Sequence, residues 1–566
     1  MQGIKVYEGI GIGKAWILKD EPVADKVVKG TVAPGQLQQE KERFEAALDQ
    51  AILDIKALEK HTQETVGDEE AMIFDAHLMM IQDPTLTGAI LQKMTKKNYT
   101  ADYAVLEARD EVVATFMMIE DDYLRARAKD VQDVSDKLLE VLLGIQSSSL
   151  GSIDKPVVLF AQDLKPSETV LLNDFVVGIV LEEGSVTSHA AIVAKAKGIP
   201  TVVGIKDACN LVEADTEVIL DATHGTVLLD PAEDVRREFE TKIQVQKEEK
   251  ARLAQLKGVP AATRDGHAVK LFGNVGSLQE THWVKDNGGF GVGLLRTELI
   301  YMDSDHFPTE EEQYNYYKDI VEVLPDEVII RTLDIGGDKM LPYYTFPKEM
   351  NPFLGCRAIR FCLNNEDLFL AQLKGILRAS VHGKVKVMFP MVSNLEELRA
   401  AKAVLAKAKE ALRTEGIPFN EKIQVGIMIE IPAAAIAADL FAKEVDFFSI
   451  GTNDLCQYTS AVDRMNADIA HLYQPLHPSI LRLIKMTVDA ANANGIEAGV
   501  CGEMAGDPDM ALLLTGIGVH ELSMSASMIP KVKDRILASG MEELKALAAR
   551  VMETSTAEEA LKVLKG

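Results

Sequence analysis

Along residues 36–143, apolar side chains recur every three or four positions, in AALDQAILDIKALEKHTQE, EEAMIFDAHLMMIQD and DYAVLEARDEVVATFMMI, with almost no glycine to interrupt them. That period predicts long amphipathic helices forming an all-helical subdomain. The texture differs on either side. Residues 1–20 read as short strands around Gly9, Gly11 and Gly13. Beyond the polar stretch 146–152 come PVVLFAQDL, VVGIVLEE, IPTVVGI, EVILDA and GTVLLD, β-branched runs bounded by Gly, Pro and Asp, with the helical AAIVAKAKG among them. These predict a small α/β unit. Joining the N-terminal strands to it makes the helical part an insertion. A helix dense in charge, DVRREFETKIQVQKEEKARLAQLKG, then runs to Gly258-Val259-Pro260 and reads as a solvated linker.

From about residue 260 onward, eight β-like runs alternate with amphipathic helical segments: VKLFGNV, GVGLL, EVIIRTL, KVKVMFP, QVGIMIE, DFFSIG, EAGVCG and VHELSMS. Eight strand–helix alternations over about 300 residues predict a TIM (β/α)8 barrel. An open doubly wound sheet is the alternative, and it would need an unusual number of parallel strands.

Composition narrows the partners. The 566 residues carry 60 Lys+Arg against 87 Asp+Glu, a formal charge of −27. Nucleic-acid binding needs clustered cations to displace counterions, so that class is excluded; a positively charged protein partner suits the acidity better. No run approaches the roughly 18–20 apolar residues of a membrane span. The start MQGIK lacks a secretory pattern. The five cysteines are scattered without a CxxC pair, which argues against a zinc site or disulfide framework and predicts a cytoplasmic setting.

In a barrel, chemistry belongs to the C-terminal ends of the strands. There the sequence places Arg296 with Glu298 close behind, Arg331 followed by Asp334 and Lys339, then Glu430, Asn453, Asp454, the downstream Arg464, and Cys501 next to Glu503. Glu430 and Asp454, from adjacent strands, suit magnesium, which takes one or two carboxylates plus water and substrate oxygens. Arg296, Arg331 and Arg464 offer planar forks to an anion. A lone charged loop residue is ordinarily solvated or a helix cap, but so many at strand ends imply a small, anionic, metal-bridged ligand. Cys501 reads either as a small buried hydrophobe or, in such a mouth, as a proton donor or thiolate.

A second signal is Gly184-Ser-Val-Thr187-Ser188-His189 before AAIVAKAKGIP. Thr and Ser ahead of a periodic run are N-cap residues and Gly198 is a stop, so His189 falls near a helix N-terminus. That position suits a neutral or a phosphorylated imidazole. Gly9-Ile-Gly-Ile-Gly13-Lys14 fails the phosphate-loop spacing, and no other nucleotide motif is present.

Taken together, TSHAAIVAKAKGIPTVVG at 187–204, GVGLLRTELIYMD at 291–303, RTLDIGGDK at 331–339, NPFLGCRAIR at 351–360, GIMIEIPAA at 426–434, DFFSIGTNDLCQYTSAVDR at 446–464 and GVCGEMAGD at 499–507 closely resemble the phosphoenolpyruvate–protein phosphotransferases, the Enzyme I family of bacterial sugar phosphotransferase systems. The resemblance covers nearly the whole chain. It implies a multidomain α/β architecture: a swivelling phosphohistidine α/β domain from 1–20 and 146–230, an inserted helical HPr-binding subdomain at 21–145, a helical linker at 231–259 and a phosphoenolpyruvate-binding TIM barrel at 260–566. It further implies His189 as the phosphorylated residue, Arg296, Arg331 and Arg357 as phosphoenolpyruvate ligands, and Glu430 and Asp454 as ligands of Mg2+. Asn453, Asp454 and Arg464 complete the substrate site, Cys501 donates a proton, and Thr169 is a candidate to hold the ring nitrogen of His189 that does not attack.

The same resemblance implies a homodimer formed through the barrel, and transfer to a histidine of the phosphocarrier HPr as the first step of sugar uptake. The docking face is read from Glu69, Glu70 and His77, with Met72, Leu78, Met79 and Met80 either part of it or core. One departure stands out: Gly184-Ser185-Val186 replaces the usual Gly-Gly-Arg and removes a cation beside His189. Cys456 in place of a usual Thr is minor. A pyruvate phosphate dikinase or phosphoenolpyruvate synthase would share His189 and the barrel but needs a further ATP-binding domain.

Overall fold

The computed structural model describes residues 1–18, 23–65, 68–118, 122–145, 150–185, 188–337, 339, 341, 343–464, 466 and 468–566. They fall into two compact units, 1–247 and 248–566.

In the first unit, the described residues form a seven-stranded sheet of β1 (Ile4–Tyr7), β2 (Ile10–Ile17), β3 (Val157–Ala161), β4 (Val176–Leu181), β5 (Thr201–Val203), β6 (Glu217–Asp221) and β7 (Thr226–Leu229), in the order β1-β5-β4-β3-β2-β6-β7. β2 and β3 are hydrogen-bonded neighbours and run parallel, Lys14 opposite Val157 through Ile17 opposite Phe160. Parallel neighbours require a crossover, and the whole helical subdomain is carried on that crossover. It comprises α1 (Leu37–Thr65), α2 (Asp68–Gln82), α3 (Pro84–Lys97), α4 (Ala101–Met117) and α5 (Asp122–Leu143). Its core follows the helical period: Phe44, Ala47, Ala51 and Ile55 on α1, Phe74 and Ile81 on α2, and Ala101, Ala104, Val105 and Ala108 on α4 are buried. The small residues of α4 let its neighbours approach closely. Asp83 caps α3, accepting from Thr85 N at 2.6 Å, and Asn98 ends it in the left-handed region at φ 50°.

Three helices complete this unit: α6 (Pro166–Thr169), α7 (His189–Ala196) and α8 (Ala208–Leu211). Ala190 and Ala194 of α7 pack with the buried strand residues Leu159, Ile179 and Leu181. The charge-dense segment forms α9 (Glu233–Ala254), largely exposed, and the division between the two units falls within it.

In the second unit, eight described strands, β8 (Lys270–Val275), β9 (Val292–Arg296), β10 (Val328–Arg331), β11 (Val385–Phe389), β12 (Gln424–Ile429), β13 (Phe447–Ile450), β14 (Glu497–Val500) and β15 (Glu521–Met524), pair in parallel and in chain order, and β15 closes on β8. This is the TIM barrel that the alternation predicts. Leu294, Ile329, Met388, Met428, Phe447 and Cys501 form one apolar cluster, separate from the larger core shared with the outer helices. Among the described residues, no helix is long and apolar enough to cross a membrane.

The opposite, N-terminal end of the barrel carries one buried ion pair, Lys386 with Glu327, and one partly exposed pair, Lys270 with Glu497. Lys386 Nζ lies 2.5 Å from Glu327, and Lys270 Nζ lies 2.7 Å from Glu497. Beside them Glu521 is 4% exposed, its Oε1 without a hydrogen-bond partner. Gly293 makes room for it, since a Cβ there would stand 2.4 Å from that oxygen. Burial, with Glu327 and Glu497 adding repulsion against Lys386 and Lys270, pushes the Glu521 carboxyl up to about 8. A folded pKa raised above the unfolded one gives stability that is complete below the ordinary carboxylate range and is lost as pH rises through the folded value. Between about pH 5 and pH 8 the wild type should therefore lose, relative to Glu521→Gln, on the order of a few kcal/mol. Parallel curves of Tm against pH for the two proteins would refute this.

Candidate active site

The strand ends gather a dense ionic cluster at the barrel rim. Arg296 and Arg331 are the last residues of β9 and β10, Glu430 follows β12, and Cys501 follows β14. Asn453 and Asp454 lie in the first turn of the helix Thr452–Ser460, which starts two residues after β13. Arg331 Nη2 is 2.7 Å from Glu298 Oε1, and its Nη1 is 3.0 Å from Asp334 Oδ2. Asp334 also holds Arg357, at 2.9 Å. Lys339 Nζ stands 3.4 Å from Glu298 and donates to the Asp334 carbonyl at 2.7 Å. Among the described residues of this cluster, three cations thus face two carboxylates. With Arg296 and Arg464 set against Glu430, Asp454 and Glu503, the rim as a whole is close to charge balance. Burial opposes ionisation of Asp334, yet Arg331 and Arg357 outweigh it and hold the carboxyl well below the usual range; Arg331 and Lys339 do the same for Glu298. The Nε atoms of Arg296 and Arg331 are buried without a hydrogen-bond partner, and unmet buried donors on guanidinium groups suit an incoming anion.

Glu430 faces the reverse situation. Burial, then the charges of Asp454 and Asp334, push its carboxyl well above the usual range, although Met391 N donates to it at 2.6 Å. A divalent cation would relieve that repulsion. Among the described residues, no group of three or more His, Cys, Asp or Glu gathers as a cage, so a cation held here would complete its shell with water and substrate oxygens, as magnesium does. Arg464 Nη2 reaches to 4.0 Å from Asp454, and Asn453 exchanges hydrogen bonds with Glu503 at 3.0 and 3.3 Å. Cys501 is 5% exposed, and burial pushes its thiol up to about 12. It is a neutral thiol able to give a proton, which sets the thiolate reading aside.

In the first unit His189 is the first residue of α7. Ser188 is the N-cap, accepting from Ala191 N at 3.4 Å, and Gly198 follows the helix at φ 68°. Val186 and Thr187 lie outside the described residues. Burial first, then the neighbouring His77, lower the His189 pKa, with Asp130 opposing them, so the imidazole is neutral near pH 7 and retains a nucleophilic lone pair.

Comparison with known proteins places both halves in one family. Residues 2–127, 153–225 and 250–540 match the families described as PEP-utilising enzyme, N-terminal, mobile domain and PEP-binding domain. A protein of Priestia megaterium named phosphoenolpyruvate-protein phosphotransferase is 43% identical over 567 residues, covering 100% of this chain and 98% of its own. One of the same name from Haemophilus influenzae is 43% identical over 564 residues, covering 99% and 97%. The chain belongs to the phosphoenolpyruvate–protein phosphotransferase family.

Within that phosphotransferase framework, His189 falls in the mobile-domain match and the whole rim in the PEP-binding match. Two sequence expectations change. Thr169 meets the ring at Nε2, 3.5 Å away, and not at the other nitrogen. Its hydroxyl also lies 2.8 Å from the Pro166 carbonyl, so its one proton can go to that oxygen or to Nε2. His77 is also turned inward, 2% exposed, edge-on to Phe74 at 5.7 Å and 3.8 Å from Asp130; its ring belongs to the interior and not to a docking face. Met72 and Met79 of α2 are exposed, at 64% and 70%. The side chains of Glu69 and Glu70 lie outside the described residues. The bracing roles of Glu298, Asp334 and Lys339 were not read from the sequence, although their places just after strand ends are the signal that would have found them.

Proposed function

We propose that this chain takes the phosphoryl group of phosphoenolpyruvate onto His189, releases pyruvate, and passes the group to a histidine of the carrier protein HPr. The observation that carries the reading is the combination, in one chain, of a neutral imidazole at a helix N-terminus with a barrel rim of clustered arginines and unmet guanidinium donors. The relatives' name supports it.

The residues divide the work as follows. Arg296, Arg331 and Arg357, with Lys339, take the phosphate oxygens and favour the charge spread over them in a loose transition state. Asn453 and Arg464 orient the carboxylate. Magnesium, held by Glu430 and Asp454, would supply further charge neutralisation when bound. With the ring proton on Nδ1 and the Thr169 contact at Nε2 opened, Nε2 offers its lone pair and forms the N–P bond as the P–O bond to the enolate breaks. The Cys501 thiol gives its proton to the enolate carbon to yield pyruvate, and the thiolate then recovers a proton from solvent.

The exposed Met72, Asp75 and Met79 of α2 suit a carrier with basic charge near its histidine. Ile436, Leu440 and Met486, exposed on helices that touch one another, suit self-association through the barrel. We place the reaction in the cytoplasm as the entry step of sugar uptake. Incubation with labelled phosphoenolpyruvate and magnesium, without ATP, should give about one acid-labile, base-stable phosphate per chain and equimolar pyruvate. A requirement for ATP would favour the dikinase class, and no label would end the reading.

A further inference from the structure

Cys501 stands one residue beyond the end of β14, where the strand ladder runs out. Gly499 and Val500 pair with Glu521 and Leu522 of β15, and the pairing stops there. On the other side, Cys501 N still donates to the Ile450 carbonyl at 3.1 Å. The Cys501 carbonyl is taken instead by a side chain, Asn274 Nδ2 donating to it at 2.9 Å. Asn274 belongs to β8, which lies beyond β15 in the barrel. A Cβ on the preceding Gly273 would meet Val284 of the outer helix Leu278–Asp286, so Asn274, next along the strand, faces the interior. Its amide reaches back across β15, where the fully buried Ser523 hydroxyl donates to Asn274 Oδ1 at 2.7 Å. The way the amide points follows from chemistry: a carbonyl only accepts, so the NH2 faces Cys501 and the oxygen faces Ser523. Gly293 of β9 keeps the space open, since a Cβ there would stand 2.5 Å from Ser523 Oγ. A buried carbonyl needs some partner. A side chain braced at its far end does more than meet that need, for it ties Cys501 to β8 as well as to β13.

We propose that Asn274 is a positioning residue for Cys501: by holding its carbonyl it fixes the thiol over one face of the enolate, so that pyruvate is protonated from that face while still bound. The inference rests on the reading of Cys501 as the proton donor, and it separates two steps of the reaction. The phosphoryl step breaks the P–O bond and forms the N–P bond among the arginines of the rim. The protonation step breaks the S–H bond and forms a C–H bond at the enolate carbon, and the thiolate regains its proton from solvent. Asn274 is bonded to the backbone of Cys501 and to Ser523, so its loss should fall on the second step and spare the first. An enolate that finds no thiol in place returns to phosphoenolpyruvate or leaves as the enol, which becomes pyruvate in solution with both faces open.

The test gives the full chain magnesium and phosphoenolpyruvate carrying deuterium at one defined C3 position, in tritiated water, and reads the configuration of the tritiated pyruvate methyl after a single turnover. The wild type should give one configuration, and whatever pyruvate Cys501→Ala forms should be racemic at the methyl. Asn274→Ala should give a partly racemised methyl and form pyruvate about tenfold more slowly. Its half-saturating phosphoenolpyruvate concentration should stay within about twofold of wild type. Label should reach His189 ahead of keto pyruvate in this variant, whereas the two rise together in the wild type. A folded Asn274→Ala chain that keeps the single wild-type configuration overturns the proposal, however much its rate has dropped. Should that variant fail to fold, Ser523→Ala decides, because it frees the amide without removing it: partial racemisation supports the proposal and an unchanged configuration overturns it. Failure of the underlying reading looks different. A wild type that forms no pyruvate, or a Cys501→Ala chain that keeps one configuration, would strike Cys501 as the donor and the proposal with it.

Discussion

A His189→Ala chain, given labelled phosphoenolpyruvate and magnesium, should take up no acid-labile phosphate and should form pyruvate at least about 10³-fold more slowly than wild type, yet still bind phosphoenolpyruvate within about twofold of the wild-type affinity. The two halves of this result follow from where the groups reside. The proposed nucleophile belongs to the unit 1–247, while every residue proposed to hold substrate belongs to 248–566, with its own closed barrel and its own core. Label persisting on another residue would show that His189 is not the acceptor. Loss of binding together with labelling would show that the barrel does not hold the substrate by itself.

Arg331→Met should be the most damaging change at the rim, on two counts. The guanidinium is buried and paired with two carboxylates, Glu298 and Asp334; removing it strands both in a low-dielectric site, and breaking such a pair costs about 3–5 kcal/mol of stability. It also removes a fork proposed to meet the transferring phosphate, a loss of about 10²–10³ or more in kcat/KM. The counts separate in the double variant Arg331→Met, Glu298→Gln, which relieves one stranded charge: part of the lost Tm should return, and none of the activity. Recovery of both would mean that Arg331 serves the fold alone. Arg464→Met should unfold nothing, since that side chain is 38% exposed and stands 4.0 Å from its carboxylate neighbour Asp454.

The barrel was legible because parallel strands covered on both faces read as continuous β-branched runs; seven of the eight runs named from the sequence contain an observed strand, and GVGLL covers β9 except for its last residue, Arg296. The rim residues were legible for a related reason: once strand ends are known, a barrel leaves only one end for chemistry. What the sequence did not show is how loops bring groups together. Asp334 and Arg357 are 23 positions apart, joined by an irregular segment with no period to read. Which ring nitrogen Thr169 meets depends on a rotamer, which no spacing encodes. His77 is the instructive miss. It lies three residues after Phe74 and four before Ile81, both fully buried, so the helical period alone assigns it to the inner face; the chemical appeal of a histidine near a docking surface obscured that.

The parallel pairing of β2 with β3 has a consequence for how carrier recognition is exchanged. The chain leaves β2 at one end of the sheet and must re-enter β3 at the other, a span of about 16 Å for five residues of strand. The five helices are therefore a detachable module with widely separated attachment points, not a loop pinched at its base. A trimmed protein that dispenses with them needs a replacement bridge of a dozen or more residues, and a foreign recognition module can be spliced in wherever its own ends lie about that far apart, without disturbing a single strand of the sheet.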